Sequence, residues 1–579
     1  MEEIKKYISE KIKNSLKECF ELDINEQDII ASLEKPKNEE MGDIAYPCFR
    51  LSKVVKDSPM NIASKVIENI DIDTSVISNI TTVAGYINIK INTKTLASKV
   101  ITNVLDKKDN YGDLSIGVGK TITIDYSSPN IAKPFHIGHF RNTMIGRTLY
   151  NIHKSLGYNV IGINYLGDWG RQFGLLMEGY RLFKDEYNIE QAPIATLSAI
   201  YVKINKLAKE DDKVMDKARD NFKKLEEGDK EALKLWQYFK DVSLVEYERL
   251  YKILGVKFDS YNGEAYYNDK MDEVIDILND KKVLKDSEGA KVVYVGEDVP
   301  PCIVLKSNGS TIYATRDLAA IVDRSRSFDY YKSIYVTGAE QKLHFKQVFK
   351  VAENLVEEKY YKNLIHVPYG LVMLKTGKMS SRDGTLVYLQ DLINEGISKA
   401  KSIILEKSDK EHLKEIDIDN LAKQIGVGAL IFNDLKHNKT KDVIFDLDEC
   451  LRFDGETGPY IQYTYARICS LISKSGLNIN EIKLNDVNNY EYNEYEDKLI
   501  KLIDKFENVI KECADTYEPA VIARYLIDLA SAYSSFYNNN NVICDDIKIK
   551  EFRTIISYMC SLVIKKGLNI LGIEAPTKM

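Results

Sequence analysis

The chain has 579 residues, 80 basic and 87 acidic side chains for a net charge of −7, and is 44% hydrophobic, so about three to four domains of roughly 150 residues are expected. Its eight cysteines include no CxxC pair, which argues against a structural zinc site and a disulfide framework and fits a reduced, cytoplasmic compartment. The charged start MEEIKKYISEKIK lacks the apolar core of a signal peptide, and no run reads as the roughly 18 apolar residues of a membrane span.

Residues 1 to about 110 read as a small α/β domain. An amphipathic opening helix carries Ile4, Ile8, Ile12, Leu16 and Phe20, a second helix covers Ile62 to Ile70, and a strand starts after Gly85. The central domain opens with TITIDYSSPNIAKPFHIGHFRNTMIGRTLYNIHKSLGYNVIGINYL. Ile122, Ile124 and Tyr126 alternate as in a strand, a polar turn runs from Ser127 to Pro134, and helical spacing begins at Ile137. Gly157 ends that helix and Val160 to Leu166 forms a second strand, giving a β-α-β unit. Such a unit sets a helix N-terminus at the carboxyl end of a parallel strand, where anions and nucleotides bind.

A charged helical region from about 195 to 255 reads as an insertion between halves of the sheet. The strand-helix pattern resumes at Val292–Val295 and Ile303–Lys306, then with a helix opened by Thr315, a strand at Ser333–Val336 and an apolar run from His366 to Met373. The alternation argues a doubly wound parallel sheet. From about 455 the 3- and 4-residue apolar spacing reads as a helical bundle.

Two segments carry chemistry. His136-Ile-Gly-His139 stands at a helix start, where free N–H groups, a glycine that admits a phosphate and two imidazoles could serve a transition state. An isolated motif of this kind is as readily a helix cap. Lys378-Met-Ser-Ser381-Arg382 lies in a glycine-punctuated loop, and a lysine there can stabilise a pyrophosphate leaving group. Alone, such a loop is usually a solvated turn.

Together, in this order around a parallel α/β domain, the two segments resemble the HIGH and KMS-type signatures of class I aminoacyl-tRNA synthetases. The longer match is to arginyl-tRNA synthetases: SSPNIAKPFHIGHFRNT, LGDWGRQFG, YATRDLAA, GAEQKLHF, GKMSSRDGT, GETGPYIQYTYARICS and LGIEAP resemble that family's blocks in order, as does PKNEEMGDIAYPCFRLSK near the start. The resemblance implies a Rossmann-like parallel-sheet catalytic domain at 111–454, a tRNA-contacting α/β domain at 1–110 and an all-α anticodon-binding bundle at 455–579. It implies activation of L-arginine by ATP to arginyl-adenylate, with Mg²⁺ accompanying the ATP, and transfer to arginine tRNA, generally with tRNA bound before activation. Neither DNA, a membrane, zinc nor a resident metal is implied, and a monomer is the default.

By the same resemblance, His136, Gly138, His139, Lys378, Met379, Ser380 and Arg382 serve ATP. Ser128, Asn130 and His139 hold the amino and carboxylate groups of arginine. Asp125, Tyr313, Asp317 and Gln341 line the side-chain pocket. Carboxylates suit a guanidinium, which needs planar acceptors. Against this, Asp317 reads as a first-turn carboxylate answering a helix dipole, Gln341 as a surface residue, and Asp125 as a buried acid that requires some partner. Ser381 stands where the typical loop has a second lysine, and Lys133 fits the compensating position beside the HIGH block. In the bundle, Tyr460, Gln462, Tyr463 and Arg467, with Arg524, Tyr525 and Tyr537, are candidates to stack on or pair with anticodon bases, set against the reading that helically spaced aromatics are core.

Rival readings are a small-molecule nucleotidylyltransferase, which needs no bundle, a class I synthetase for another amino acid, and a non-catalytic RNA-binding paralogue.

Overall fold

The computed structural model describes residues 2–36, 38–187, 189–374, 388–407, 416–482 and 490–579. At its centre is a four-stranded parallel sheet in the order Leu364–Tyr369, Lys332–Gly338, Thr121–Asp125, Asn159–Ile163. Its central strands are apolar because both faces are covered: Ile122, Ile124, Ile334 and Val336 are buried. The first strand turns into the helix Ile137–Ser155, which packs on the sheet. Gly146 permits the close approach, since a Cβ there would fall 2.3 Å from Cβ of Tyr126.

Two sequence expectations are corrected here. Val292–Val295 and Ile303–Lys306 do not continue the parallel sheet. They form, with Leu284–Ser287, a separate antiparallel meander of strands Leu284–Ser287, Ala290–Val293 and Cys302–Leu305. Short connections such as Glu288-Gly289 favour a hairpin over a crossover. The run from His366 to Met373 is likewise split, its second half (Val372–Leu374) pairing in parallel with Val443–Phe445.

The helical region comprises Pro193–Glu210, Asp212–Glu226 and Lys230–Leu254. The last of these lies under the first strand's exit loop. The N-terminal unit has a three-stranded antiparallel sheet flanked by helices including Glu2–Phe20 and Pro59–Asn69. Its closing helix Thr93–Lys107 packs on the bundle helix Glu494–Thr516. There Lys501 reaches Asp43 at 2.5 Å and Asp497 at 2.7 Å, and the Tyr111 hydroxyl donates to the Ile503 carbonyl at 2.9 Å.

The bundle is built from Gly458–Ser475, Glu494–Thr516, Ala520–Asn539 and Ile547–Leu571. Ile547–Leu571 is long and apolar enough to cross a membrane by length and composition, contrary to the sequence reading, but most of it is buried against the other three helices.

Candidate active site

The site forms where Thr121–Asp125 ends. Three residues of the following loop hold left-handed backbone without being glycine: Ser127 (φ 70°), Ser128 (φ 46°) and Ala132 (φ 60°). Such conformations cost about 1–3 kcal/mol each and persist where the surroundings over-determine them. Here the Asn142 side chain accepts from Ser127 N at 2.7 Å, Asn164 from Ser128 N at 3.2 Å, and Ser243 from Ala132 N at 3.0 Å. Asn130 bridges to Gly167, where a Cβ would fall 2.3 Å from the Asn130 side-chain oxygen.

The loop delivers the chain to His136, the N-cap of Ile137–Ser155. His136 Nδ1 accepts from Gly138 N at 3.1 Å, and His136 N donates to His139 Nδ1 at 3.3 Å, a reciprocal capping box. The rings stack at 3.8 Å. The capping reading of this motif and the ligand reading are compatible. With both Nδ1 atoms accepting, each neutral ring carries its proton on Nε2, which stays available to donate. Burial, reinforced by the charge of Lys133, pushes His136 down to about 4; burial, the neighbouring ring and Lys133 hold His139 well below the usual range. Lys133 lies over the Tyr201 ring at 5.8 Å and has no carboxylate partner among the described residues.

Lys378, Met379, Ser380 and Arg382 lie outside the described residues. The chain that follows them returns to the site: Tyr388 forms an antiparallel bridge with His136, and Leu389 N donates to the Phe135 carbonyl at 2.9 Å.

Acidic residues gather on the other side of the loop. Asp125 is buried, receives the Ser128 hydroxyl at 3.0 Å and pairs with Arg324 at 2.8 Å. The partner that a buried acid requires is thus supplied by the chain itself. Arg324 is buried too, between the rings of Tyr165 (5.3 Å) and Tyr335 (5.5 Å). The helix bearing it starts at Tyr313, not Thr315, and runs to Phe328. Thr315 is its third residue and donates to the Val304 carbonyl at 2.5 Å. Asp317 therefore lies beyond the first turn and does not answer the helix dipole; it holds His344 at 2.6 Å. Tyr313 and Gln341 are exposed.

Glu264 was missed by the sequence reading. It sits in the short turn Glu264–Lys270, which has no periodicity to reveal it. Its Oε2 and the Tyr165 hydroxyl are buried without a hydrogen-bond partner among the described residues, Arg316 standing 3.5 Å from that oxygen. Burial raises Glu264 to about 8, opposed by Arg316 and reinforced by Asp317 and Asp168. Asp317 also raises Asp125 and Tyr165, behind burial, which places these groups in one electrostatic neighbourhood. No group of three or more His, Cys, Asp or Glu among the described residues could hold a metal ion.

In the bundle, Gln462 is a correction. It is fully buried, its amide donating to the carbonyls of Gln424 (3.1 Å) and Glu574 (2.8 Å), so it cannot meet a base. Tyr460 bonds Ser534 at 3.0 Å. Tyr463 is exposed, Arg467 stacks on Tyr537 at 3.7 Å, and Tyr525 is core, its hydroxyl donating to the Leu502 carbonyl.

His136, His153 and His366 are each depressed to about 4, chiefly by burial. They bind protons more readily unfolded than folded, so their contribution to stability is full above pH 6.5 and is lost as pH falls toward 4. Glu264, raised to about 8, works in the opposite sense, its contribution falling as pH rises toward 8, so the rings are best read one by one: NMR titration of the His136, His153 and His366 ring resonances should show midpoints below pH 5, and midpoints near 6.5 would contradict neutral, buried rings.

Comparison with known proteins gives a consistent picture. Residues 100–447 match the model for tRNA synthetases class I (R), catalytic domain; residues 461–579 match the DALR anticodon binding domain, and 3–91 the arginyl tRNA synthetase N terminal domain. An arginine–tRNA ligase of Clostridium botulinum is 46% identical over 98% of this chain and 99% of its own length, and one of Clostridioides difficile 42% over the same shares. The arginyl-tRNA synthetase structure from Plasmodium falciparum superposes with a TM-score of 0.83 at 26% identity, covering 100% of this chain and 99% of that one. The Thermus thermophilus structure shares the fold, with a TM-score of 0.77 at 20% identity and 99% of each chain covered.

Proposed function

The chain belongs to the arginyl-tRNA synthetases of class I and is an arginine–tRNA ligase, and we propose that its two half-reactions run across the loop Ser127–Lys133. ATP is a substrate, with Mg²⁺ entering as its companion and lowering the charge of the phosphates. The observation that carries this reading is a division of donors and acids along one turn. Neutral imidazole donors and Lys133 stand at its His136 end; Glu264, Asp317 and the Tyr165 hydroxyl, which has no hydrogen-bond partner among the described residues, gather about Asp125.

Arginine binds with its guanidinium toward Glu264 and Asp317, where carboxylates offer the planar acceptors it needs. Tyr313 and Gln341 close the pocket from its exposed edge. Asp125 acts through Arg324 and Ser128, fixing the loop rather than contacting the guanidinium. Ser128, Asn130 and His139 then orient the amino and carboxylate groups. The carboxylate attacks the α-phosphorus, the bond to the bridging oxygen breaks, and pyrophosphate leaves. The Nε2–H groups of His136 and His139 donate to the phosphate oxygens as charge builds, so their neutrality in the free enzyme is the working state. Lys133, with Lys378 from the KMS-type loop, balances the phosphate charge. In the second step a ribose hydroxyl of the tRNA terminus attacks the adenylate carbonyl, releasing AMP. Tyr463 and Arg467 are the candidates for anticodon contact, and the enzyme works in the cytoplasm as a monomer.

ATP–pyrophosphate exchange with each amino acid, with and without tRNA, tests the reading: arginine alone should stimulate it, and stimulation by lysine or cysteine instead would overturn it. Lys133→Ala should slow arginine-dependent exchange more than about threefold; a smaller loss, under ~1 kcal/mol of barrier, removes Lys133 from phosphate binding. Because Glu264 must ionise to pair with a guanidinium, arginine affinity should rise on the order of tenfold between pH 6.5 and 8.5 and level off above about 8. In Glu264→Gln the affinity should be lower and the dependence flat.

A further inference from the structure

The helix Lys230–Leu254 presents a stripe of polar side chains where a buried helix face ordinarily carries leucines. Trp236, Lys240, Ser243, Tyr247 and Tyr251 recur at intervals of four, three, four and four, so they share one face. Each bonds to a loop of the active site. Trp236 Nε1 donates to the Asp168 carbonyl at 2.7 Å and Lys240 pairs with the Asp168 carboxylate at 2.7 Å. The Asp168 carboxylate also accepts from Ala265 N at 2.8 Å, beside Glu264. Ser243 accepts from Ala132 N, and the Tyr251 hydroxyl lies 2.8 Å from Ser127 Oγ and 3.1 Å from Asn164 Nδ2. The Tyr247 hydroxyl stands between two carbonyls, of Asn130 at 2.7 Å and Lys133 at 2.6 Å. Ser243, Tyr247 and Tyr251 are buried, and two of the loop residues they meet, Ser127 and Ala132, are left-handed.

We propose that this helix is the positioning element of the reaction and that Tyr247 is its central positioning residue. On the reading given above, Asn130 contacts arginine and Lys133 the phosphates. One buried hydroxyl therefore ties together the two backbone positions that fix the attacking carboxylate relative to the α-phosphorus. Stabilising the strained turn from below keeps both contacts in register without Tyr247 touching either substrate. A misplacement of such groups lowers the rate of reaction of bound substrates more than it lowers their binding.

The test is Tyr247→Phe in the full chain, assayed by arginine-dependent ATP–pyrophosphate exchange with tRNA present and by active-site titration of adenylate formed. Phenylalanine keeps the ring packed against Phe135 and removes only the hydroxyl. The expected result is a fall in kcat of about tenfold, with KM for arginine and for ATP within about threefold and the titrated active fraction unchanged. Ser243→Ala should move in the same direction. Tyr238→Phe, on the same helix but packed on Tyr180, should leave kcat at the wild-type value. A Tyr247→Phe kcat within twofold of wild type, a loss confined to KM or to active fraction, or an equal loss in Tyr238→Phe would each overturn the proposal. Wild-type enzyme without arginine-dependent exchange would instead overturn the functional reading on which the proposal rests.

Discussion

The buried pair between Asp125 and Arg324 is the contact on which the site's geometry depends. It joins the end of the first central strand to the helix Tyr313–Phe328, which carries Asp317 and Tyr313. Breaking such a pair leaves an uncompensated buried charge, at a cost of about 3–5 kcal/mol. An ion pair of this kind is weak evidence for net stability; its value here is geometric. Asp125 also receives the Ser128 hydroxyl, so one carboxylate fixes the left-handed loop and the acidic wall together. The rings of Tyr165 and Tyr335 enclose the guanidinium and leave it no competing water-exposed arrangement.

Given that anchor, the electrostatics of the two halves follow from local chemistry. The His136 and His139 rings are spent at Nδ1 on the cap and are held neutral by burial, which makes them directional donors instead of mobile charges. Lys133 supplies positive charge nearby without an acidic partner among the described residues to neutralise it. Across the loop, Glu264 is raised by burial and by its acidic neighbours, with Arg316 at 3.5 Å falling short of full compensation. An acid such as Glu264, whose Oε2 has no hydrogen-bond partner among the described residues and lies in a low-dielectric wall, gains from a ligand that brings its own planar cation.

The β-α-β unit from Thr121 to Leu166 was legible because its two periodicities are strong and its turn residues are explicit; the helix begins at Ile137, where the spacing placed it. Asp317 was legible as a helical carboxylate but misassigned to a first turn, since Thr315 looks like a cap in sequence and is the third helical residue in space. Glu264 was invisible, lying in a seven-residue turn where no pattern distinguishes a buried acid from a solvent-facing one. Gln462 was chosen for its neighbours' chemistry, and only packing reveals that it is buried with its amide N–H groups given to the Gln424 and Glu574 carbonyls. The helix Lys230–Leu254 was legible as part of an insertion between halves of the sheet, but its bonds to Ala132, Asn130 and Lys133 were not, because periodicity identifies an element's buried face and is silent about what occupies the other side. Long-range partners are the information a single sequence carries least.

The same limit explains how the bundle reaches the helix that His136 caps. Ile137–Ser155 looks amphipathic in sequence, yet it buries Arg141, Asn142, Thr143, Thr148 and His153. Arg141 Nη2 donates to the carbonyls of Asn438, Lys439 and Lys441 at 3.0–3.3 Å. The Glu518 carboxylate of the bundle accepts from Lys439 N at 3.1 Å, and Arg147 donates to the Gly572 carbonyl at 3.0 Å. Buried polar groups are costly without partners; Arg141 Nη2 finds them in backbone carbonyls, while its Nε and Nη1 have no hydrogen-bond partner among the described residues and Nε stands 3.9 Å from the buried Asp434 carboxylate. The helix that begins at His136 is therefore held along its length by the bundle and by the segment 438–441, so displacement of either is opposed by the desolvation cost of breaking those bonds. The charge-bearing end of the site and the helices of the C-terminal bundle are thus parts of one hydrogen-bonded body.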